Sequence, residues 1–519
     1  MAAKLVLILG PTGQSVSSIS ADYRPLNEEQ TAIADEIVAG FHGRSSTRHF
    51  VLHAEPGCGK TNVTRYLAAN AFGEGTEFAA CTAAMWVRAK VGQPVADLIS
   101  STHCNKSIAD PKNIAAIILE EYSMLEGALL SAIHQRMGGG TKPFGGRPVL
   151  FTGDLFQLPV VNGDSCLSTA VFRSLAPRVL TLTQQVRLDA ESEQEYLACV
   201  SEVKNGVVNR RAIVQHADTL DYGISVGGGF RRVPSPTAAQ FLCCTRERAL
   251  AVNLSALKQL AEEDPAAERY AIKAPQPSHP VATAGTPRPT LLVTGCKAMV
   301  TANVYNGHRC VAHNGELGIF EGIVGGDKVG YITEGGVTYT EYKLTKNLMF
   351  KFRPIDGGAP ASRAFGSSDR DEEDTSHPQS PSGFARAECP ESPESSPNPN
   401  HTDPASGIKL LSPIRLHGGV DGDKKKKTLH VPLEPAHAIT VHKSQGQTIH
   451  GRVHFDSEGL GGMLASSPGL LYVAMTRVTH GRNFTSNLTS YMLNAIIRDL
   501  PPLLPEHRAG VAFARTGCL

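Results

Sequence analysis

Apolar residues along this chain fall into short unbroken runs, set between glycine-rich turns and stretches with helical spacing. His49-Phe50-Val51-Leu52 leads into a glycine turn, and a helical pattern follows from Asn62 to Ala71. Ile114 to Leu119 is apolar throughout, as expected of a strand buried on both faces of a parallel sheet. Pro148 to Asp154 repeats the pattern, an apolar run ending in a turn. Leu26 to Val38 reads as a helix with Asn27 as its N-cap. A second α/β unit begins at Phe241, with a helix from Arg246 to Glu263 and a further strand and turn from Ala436 to Ile449. Within that unit, residues 291–345 alternate short β-type runs with Gly and Asn turns, which predicts a small all-β insertion. Residues 353–408 are dense in Pro, Ser, Asp and Glu and nearly free of aliphatic side chains. Such a segment cannot offset chain entropy by burial and is expected to be disordered.

Composition adds limits. With 519 residues the chain accommodates two or three cores. A formal net charge of +1 gives no global polyanion signal, so any nucleic-acid site has to be a local surface. The cysteines are scattered without CxxC pairs, which suggests a reducing, intracellular setting and argues against structural zinc. No apolar run approaches membrane-spanning length. Lys424 to Lys427 reads as a solvated charge run, with a localisation signal or polyanion contact as the alternative.

The chemistry concentrates in a few turns. Glu55-Pro56-Gly57-Cys58-Gly59-Lys60-Thr61-Asn62, between strand and helix, is a phosphate cradle. The two glycines turn backbone N–H groups inward, Lys60 reaches the β and γ phosphates, and the Thr61 hydroxyl holds Mg²⁺. Ala54 stands where this pattern usually has its first glycine. Glu120 and Glu121 end a buried strand, where an ATPase needs one acid to organise Mg²⁺ and another to polarise water. Gln157 is placed to orient that water or sense the γ-phosphate, and Arg187 and Arg477 are arginine-finger candidates. Gln30, upstream of the cradle, is suited to reading adenine. Lys4 to Ser15 imitates a phosphate loop but has Gln14 at the lysine position. It is read as a strand and turn, or as a loose N-terminal arm.

In this order the segments resemble the motifs of superfamily 1 helicases, most closely the Pif/RecD-like 5′→3′ DNA helicases. Gly153-Asp154-Leu155-Phe156-Gln157-Leu158-Pro159 and His442-Lys443-Ser444-Gln445-Gly446-Gln447-Thr448 are the most specific matches. The resemblance implies an α/β fold with two RecA-like P-loop motor domains: residues 1–25 as an arm, 26–235 as the first motor, and 236–519 as the second. The insertion at 291–345 would be SH3-like. It further implies ATP and Mg²⁺ as cofactors, with Lys60, Thr61 and Glu120 at the phosphates and metal, and Glu121 as base. Gln157, Arg187 and Arg477 would act on the γ-phosphate. Thr82, His103, His442 and Lys443 would contact single-stranded DNA, with duplex or fork DNA as substrate and replication or repair proteins as partners. A nuclear location, or the host nucleus for a viral protein, is the expectation that goes with it. The alternatives are a viral-type superfamily 1 RNA helicase and a catalytically weak nucleotide-binding accessory subunit.

Overall fold

Residues 4–9, 23–73, 78–89, 93–106, 108–140, 142–160, 163–205, 233–273, 288–306, 309–355, 407–417, 427–460 and 469–488 are described by a computed structural model. The turn expected at Gly10 to Ser15, residues 356–406 of the acidic insertion, and Lys424 to Lys426 lie outside them.

The first motor runs β1 (Lys4–Leu9), α1 (Glu28–Phe41), β2 (His49–Ala54), α2 (Lys60–Asn70), β3 (Phe78–Thr82), α3 (Ala83–Trp86), α4 (Val95–Ser100), β4 (Ile114–Glu120), α5 (Gly127–Arg136), β5 (Val149–Gly153), α6 (Ala170–Leu175) and β6 (Arg178–Leu182). Its six-stranded sheet has the order β3-β1-β4-β5-β2-β6. Strands β4, β5, β2 and β6 are parallel, whereas β1 is antiparallel to both its neighbours. Ile117, Ile118 and Leu119 are fully buried, one face of the sheet packing with Trp86 and Leu130 and the other with Ile37 and Leu67. Burial of such side chains on both faces, each contributing about 1.5–3 kcal/mol, is why β4 carries no polar alternation.

The arm reading of the N-terminus is corrected by β1. Leu5 to Ile8 are buried, and the strand sits inside the sheet between β3 and β4. Its all-apolar sequence needs cover on both faces, which an arm would not supply. Lys4 pairs with Thr82 on one side and Glu120 on the other, so these two residues lie level at one sheet edge.

A connecting helix, α7 (Gln194–Asn205), follows. The sequence boundary at 235 assigns it to the first motor, but its packing does not. Leu188, Tyr196, Cys199 and Val200 share a core with Leu242, Ile439, Val473 and Phe484.

The second motor begins with β7 (Gln240–Cys243) and α8 (Arg246–Glu263). A β-rich region then runs through β8 (Arg269–Lys273), β9 (Thr290–Val293), β10 (Lys297–Val300), β11 (Val304–Asn306), β12 (Arg309–Ala312), β13 (Leu317–Val324), β14 (Lys328–Glu334), β15 (Val337–Lys343), β16 (Met349–Pro354), β17 (Lys409–Leu411), β18 (Ile414–His417), β19 (Lys427–His430) and β20 (Leu433–Pro435). It extends beyond the expected 291–345 on both sides, because β8 pairs with β15, and β17 and β20 complete the sheet around β13. The motor resumes with β21 (Ala438–Thr440), α9 (Val441–Ser444), β22 (Val453–Asp456), α10 (Leu470–Met475) and β23 (Phe484–Ser486). Its own sheet is parallel, in the order β21-β7-β22-β23.

Candidate active site

The loop from Glu55 to Gly59 leaves β2 and enters α2 through two left-handed glycines, Gly57 at φ 97° and Gly59 at φ 85°. A Cβ on Gly57 would lie 2.2 Å from Gln185 Oε1, and one on Gly59 would lie 2.3 Å from Gln30 Nε2. Both positions therefore require glycine on conformational and steric grounds. Ala54 does not share that requirement. It is the last residue of β2, fully buried and paired with Leu182, with an ordinary negative φ. The missing first glycine leaves the loop intact.

Lys60 Nζ donates to the carbonyls of Ala54 and Glu55, which places the ammonium inside the loop. The first turn of α2 leaves N–H groups without helical acceptors, and its dipole adds positive character there. Such a concavity binds phosphate oxygens. Cys58, buried in the loop, has its thiol pushed up to about 11 by burial against the opposing field of Lys60, so it stays neutral.

Gln30 and Asn62 have jobs the sequence did not suggest. Gln30 completes a capping box with Asn27 and donates from Nε2 to the Cys58 carbonyl at 3.1 Å. Both ends of its amide are thus engaged, Oε1 in the cap of α1 and Nε2 in bracing the loop. Asn62 exchanges two hydrogen bonds with the Arg24 backbone, at 2.8 and 2.9 Å. The segment after β6 closes over the same loop. Gln185 Nε2 donates to the Pro56 carbonyl at 2.8 Å, and Val186 N donates to the Gly57 carbonyl at 2.9 Å. The Glu29 carboxylate anchors this segment by accepting from Thr183 and Gln184.

Glu120 is buried at the end of β4, one strand away from the loop strand across β5. That is about 10 Å between strands at one sheet edge, a span a triphosphate with its metal covers. The Glu120 carboxylate and the Thr61 hydroxyl are hard oxygen donors, which fit Mg²⁺. Glu121, the next residue, adopts φ 56° and ψ 47°. Left-handed backbone in a non-glycine residue costs roughly 1–2 kcal/mol. It turns Glu121 out of the strand toward the second motor, where Gln445 Nε2 donates to its Oε2 at 3.4 Å.

Three further contacts join the motors. Arg187, its Cβ against Gly57, donates from Nη1 to the Thr476 carbonyl at 2.7 Å. Burial lowers its pKa, opposed by Cys58 and Glu121. Tyr472 donates its hydroxyl to Asp154 Oδ2 at 2.8 Å. Lys204 of α7 pairs with Glu55 of the loop and lies 4.9 Å over the Phe156 ring. Asp154, Tyr472 and Lys204 were missed as site residues. Asp154 stood inside a recognised motif, but nothing in the sequence spacing shows that it meets Tyr472.

Arg477 is held differently from the expectation. It is fully buried, with Nε donating to the Val473 carbonyl at 2.9 Å and Nη1 to the Ser444 and Gln447 carbonyls at 3.3 and 3.0 Å. It braces the turn after α9, and its guanidinium is pushed down to about 9 by burial and by Arg187 nearby. Gln157 is buried beside Asp154, to which Nε2 donates at 3.4 Å.

The nucleic-acid candidates lie at the ends of strands and on loops. Thr82 ends β3 at the level of Glu120. His103 is exposed, on a loop held by Arg136, which donates to its carbonyl at 2.8 Å. His442 lies in α9, directly after β21, and burial lowers its pKa. Lys443 is paired with Glu434, so a phosphate would have to compete for it.

Known proteins resemble this chain in sequence and in fold. The family described as an AAA domain matches residues 25–219. An ATP-dependent DNA helicase PIF7 from Trypanosoma brucei brucei is 22% identical over 439 residues, 76% of this chain. The chain spans only 38% of that relative's length. Among solved structures, the Pif1 helicase from Candida albicans is similar with a TM-score of 0.57 and 17% identity, covering 92% of this chain and 98% of that one. A Bacteroides Pif1 in complex with ADP-AlF3 and single-stranded DNA gives a TM-score of 0.56 and 18% identity, covering 92% and 97%. A structure described for DNA unwinding at forked duplex DNA by two coordinating Pif1 helicases gives 0.57 and 17%, covering 90% and 94%. The chain shares the fold of these Pif1 structures, with two α/β units joined across the site.

Proposed function

We propose that this protein is an ATP-dependent DNA helicase that translocates 5′→3′ on single-stranded DNA and unwinds duplex or forked DNA. The observation that carries the reading is a phosphate loop and acid pair on one motor facing Gln445, Tyr472 and Thr476 of the other. A nucleotide held in such a cleft ties hydrolysis to closure of the motors, and closure displaces whatever strand spans them. The fold shared with the DNA-bound Pif1 structures supports DNA as that strand.

In this reading the loop N–H groups and Lys60 bind the phosphates, Glu121 takes the proton of the attacking water, and Gln157 orients it. Arg187 stabilises charge on the γ-phosphate from its place between loop and second motor. Mg²⁺, held by Thr61 and Glu120, would neutralise charge on the β and γ oxygens. Strand contacts by Thr82, His103, His442 and Lys443 would be salt-dependent and largely sequence-tolerant. Work in DNA replication, repair or recombination, and a nuclear location, go with the same reading.

The test is ATPase activity with and without single-stranded DNA. DNA should stimulate turnover, and Lys60→Ala and Glu121→Gln should each lower it by roughly a hundredfold or more. Stimulation by RNA alone would refute the DNA reading. Equal residual rates in both variants and the wild type would favour the accessory-subunit reading. Tailed duplexes with 5′ or 3′ overhangs then read the polarity.

A further inference from the structure

Asp154 is fully buried directly after β5, the strand between the phosphate-loop strand and the strand of Glu120. Its carboxylate is held by hydrogen bonds from three groups. Phe156 N donates to Oδ1 at 2.9 Å, while Tyr472 Oη at 2.8 Å and Gln157 Nε2 at 3.4 Å donate to Oδ2. A buried carboxylate is costly unless fully hydrogen-bonded, so losing one donor is felt by the others. Two of these donors come from the first motor's own turn. The third comes from α10 of the second motor, a fully buried helix.

The chemistry of the acceptor fixes the direction of the amide. The Asp154 oxygen accepts from the Gln157 NH₂, so Oε1 faces away from the carboxylate. That Oε1 is buried and has no hydrogen-bond partner. Burial, together with the Asp154 charge, holds the Tyr472 phenol far above its ordinary pKa, so it remains a donor.

We propose that Tyr472 is a positioning residue for hydrolysis: its hydroxyl fixes the Asp154 carboxylate, which orients Gln157 so that Oε1 accepts a hydrogen bond from the attacking water. This rests on the ATPase reading above. Because Tyr472 belongs to the second motor, the water-orienting acceptor is set only while the motors are docked. When they separate, Asp154 loses a donor and the Gln157 amide is no longer held. Nucleotide can then bind to the open protein without being hydrolysed.

Tyr472→Phe keeps the buried ring and removes only the hydroxyl. The variant should lose roughly tenfold to a hundredfold in kcat, the scale of a small misplacement in an active site. Its dissociation constant for a non-hydrolysable ATP analogue should stay within about twofold, since the contact acts on the reacting water and not on bound nucleotide. The double variant Tyr472→Phe/Gln157→Ala should be no slower than Gln157→Ala alone, as expected of residues acting in one chain. Asp154→Asn, which conserves volume, reads the same step through a neutral group that no longer dictates the amide's direction. Full kcat in Tyr472→Phe, or multiplicative losses in the double variant, would overturn the relay. A wild type that binds ATP but does not hydrolyse it would overturn the ATPase reading and the relay with it. Normal wild-type turnover beside an unaffected Tyr472→Phe would overturn the relay alone.

Discussion

Glu121 shows how far residue identity and residue geometry separate. A carboxylate pair after an apolar strand reads in the sequence as an ATPase site, but only the fold places Glu121 at φ 56° with its neighbour in regular strand. The strain is tolerated because the turn carries the carboxylate across to Gln445. Asparagine adopts left-handed backbone at lower cost. Glu121→Asn should therefore abolish turnover yet unfold later, by about 1 kcal/mol, in thermal denaturation. Earlier unfolding would mean that the carboxylate's interactions outweigh the backbone cost. Gln30 is the converse case. Its position upstream of the loop is legible, but local sequence cannot show that a capping box and the Cys58 carbonyl engage both ends of its amide. Ala54 departs from the usual motif, and its strand pairing explains why that departure is harmless.

At the scale of elements, the parallel strands were legible because burial on both faces writes an unbroken apolar run, as in β4 and β5. The placement of β1 was not. Its pairing with β3 and β4 spans more than seventy residues, and no local pattern encodes a partner that distant. The β-rich region was recognised from its turns but cut short, since β8 and β17 join it through pairings of the same distant kind. The second motor also carries buried histidines that give it a pH dependence. His437 accepts from Lys297 N through Nε2 at 3.0 Å, a role that protonation would remove. His454 contacts Thr485 at 3.0 Å under the Phe241 ring. Burial, with Lys297 adding to it at His437, lowers each imidazole from 6.5 to about 4. Between those two values the unfolded chain binds more protons than the folded one, so stability rises with pH and levels off above the upper value. Moving from about pH 7 to about pH 5 should cost roughly 2 kcal/mol per histidine in urea denaturation. His437→Gln, which retains an acceptor, should flatten part of that slope. An unchanged slope would assign the titration elsewhere.

In the whole molecule, α7 joins the first motor's sequence to the second motor's core, and this determines how the nucleotide cleft is governed. Tyr196 of α7 donates its hydroxyl to the Met475 carbonyl at 2.7 Å, and Glu193, just before the helix, accepts from Gly481 N at 3.0 Å. The helix therefore moves with the second motor, yet its Lys204 pairs with Glu55 in the phosphate loop. An acid in that loop repels a triphosphate, and Lys204 offsets it only while the motors are together. Lys204→Ala should then weaken ATP binding by a few-fold. The pair is partly exposed, with Glu55 at 39% and Lys204 at 14%, so its coupling should be modest, roughly 0.5–1 kcal/mol, and should shrink at high salt. Glu55→Ala should restore most of the affinity in the Lys204→Ala background, because no uncompensated acid then faces the phosphates. Equilibrium binding of a non-hydrolysable ATP analogue to the four proteins of this cycle, at low and high ionic strength, measures the coupling. Additive effects at low salt would show that Lys204 acts on nucleotide, or on the Phe156 ring beneath it, independently of Glu55.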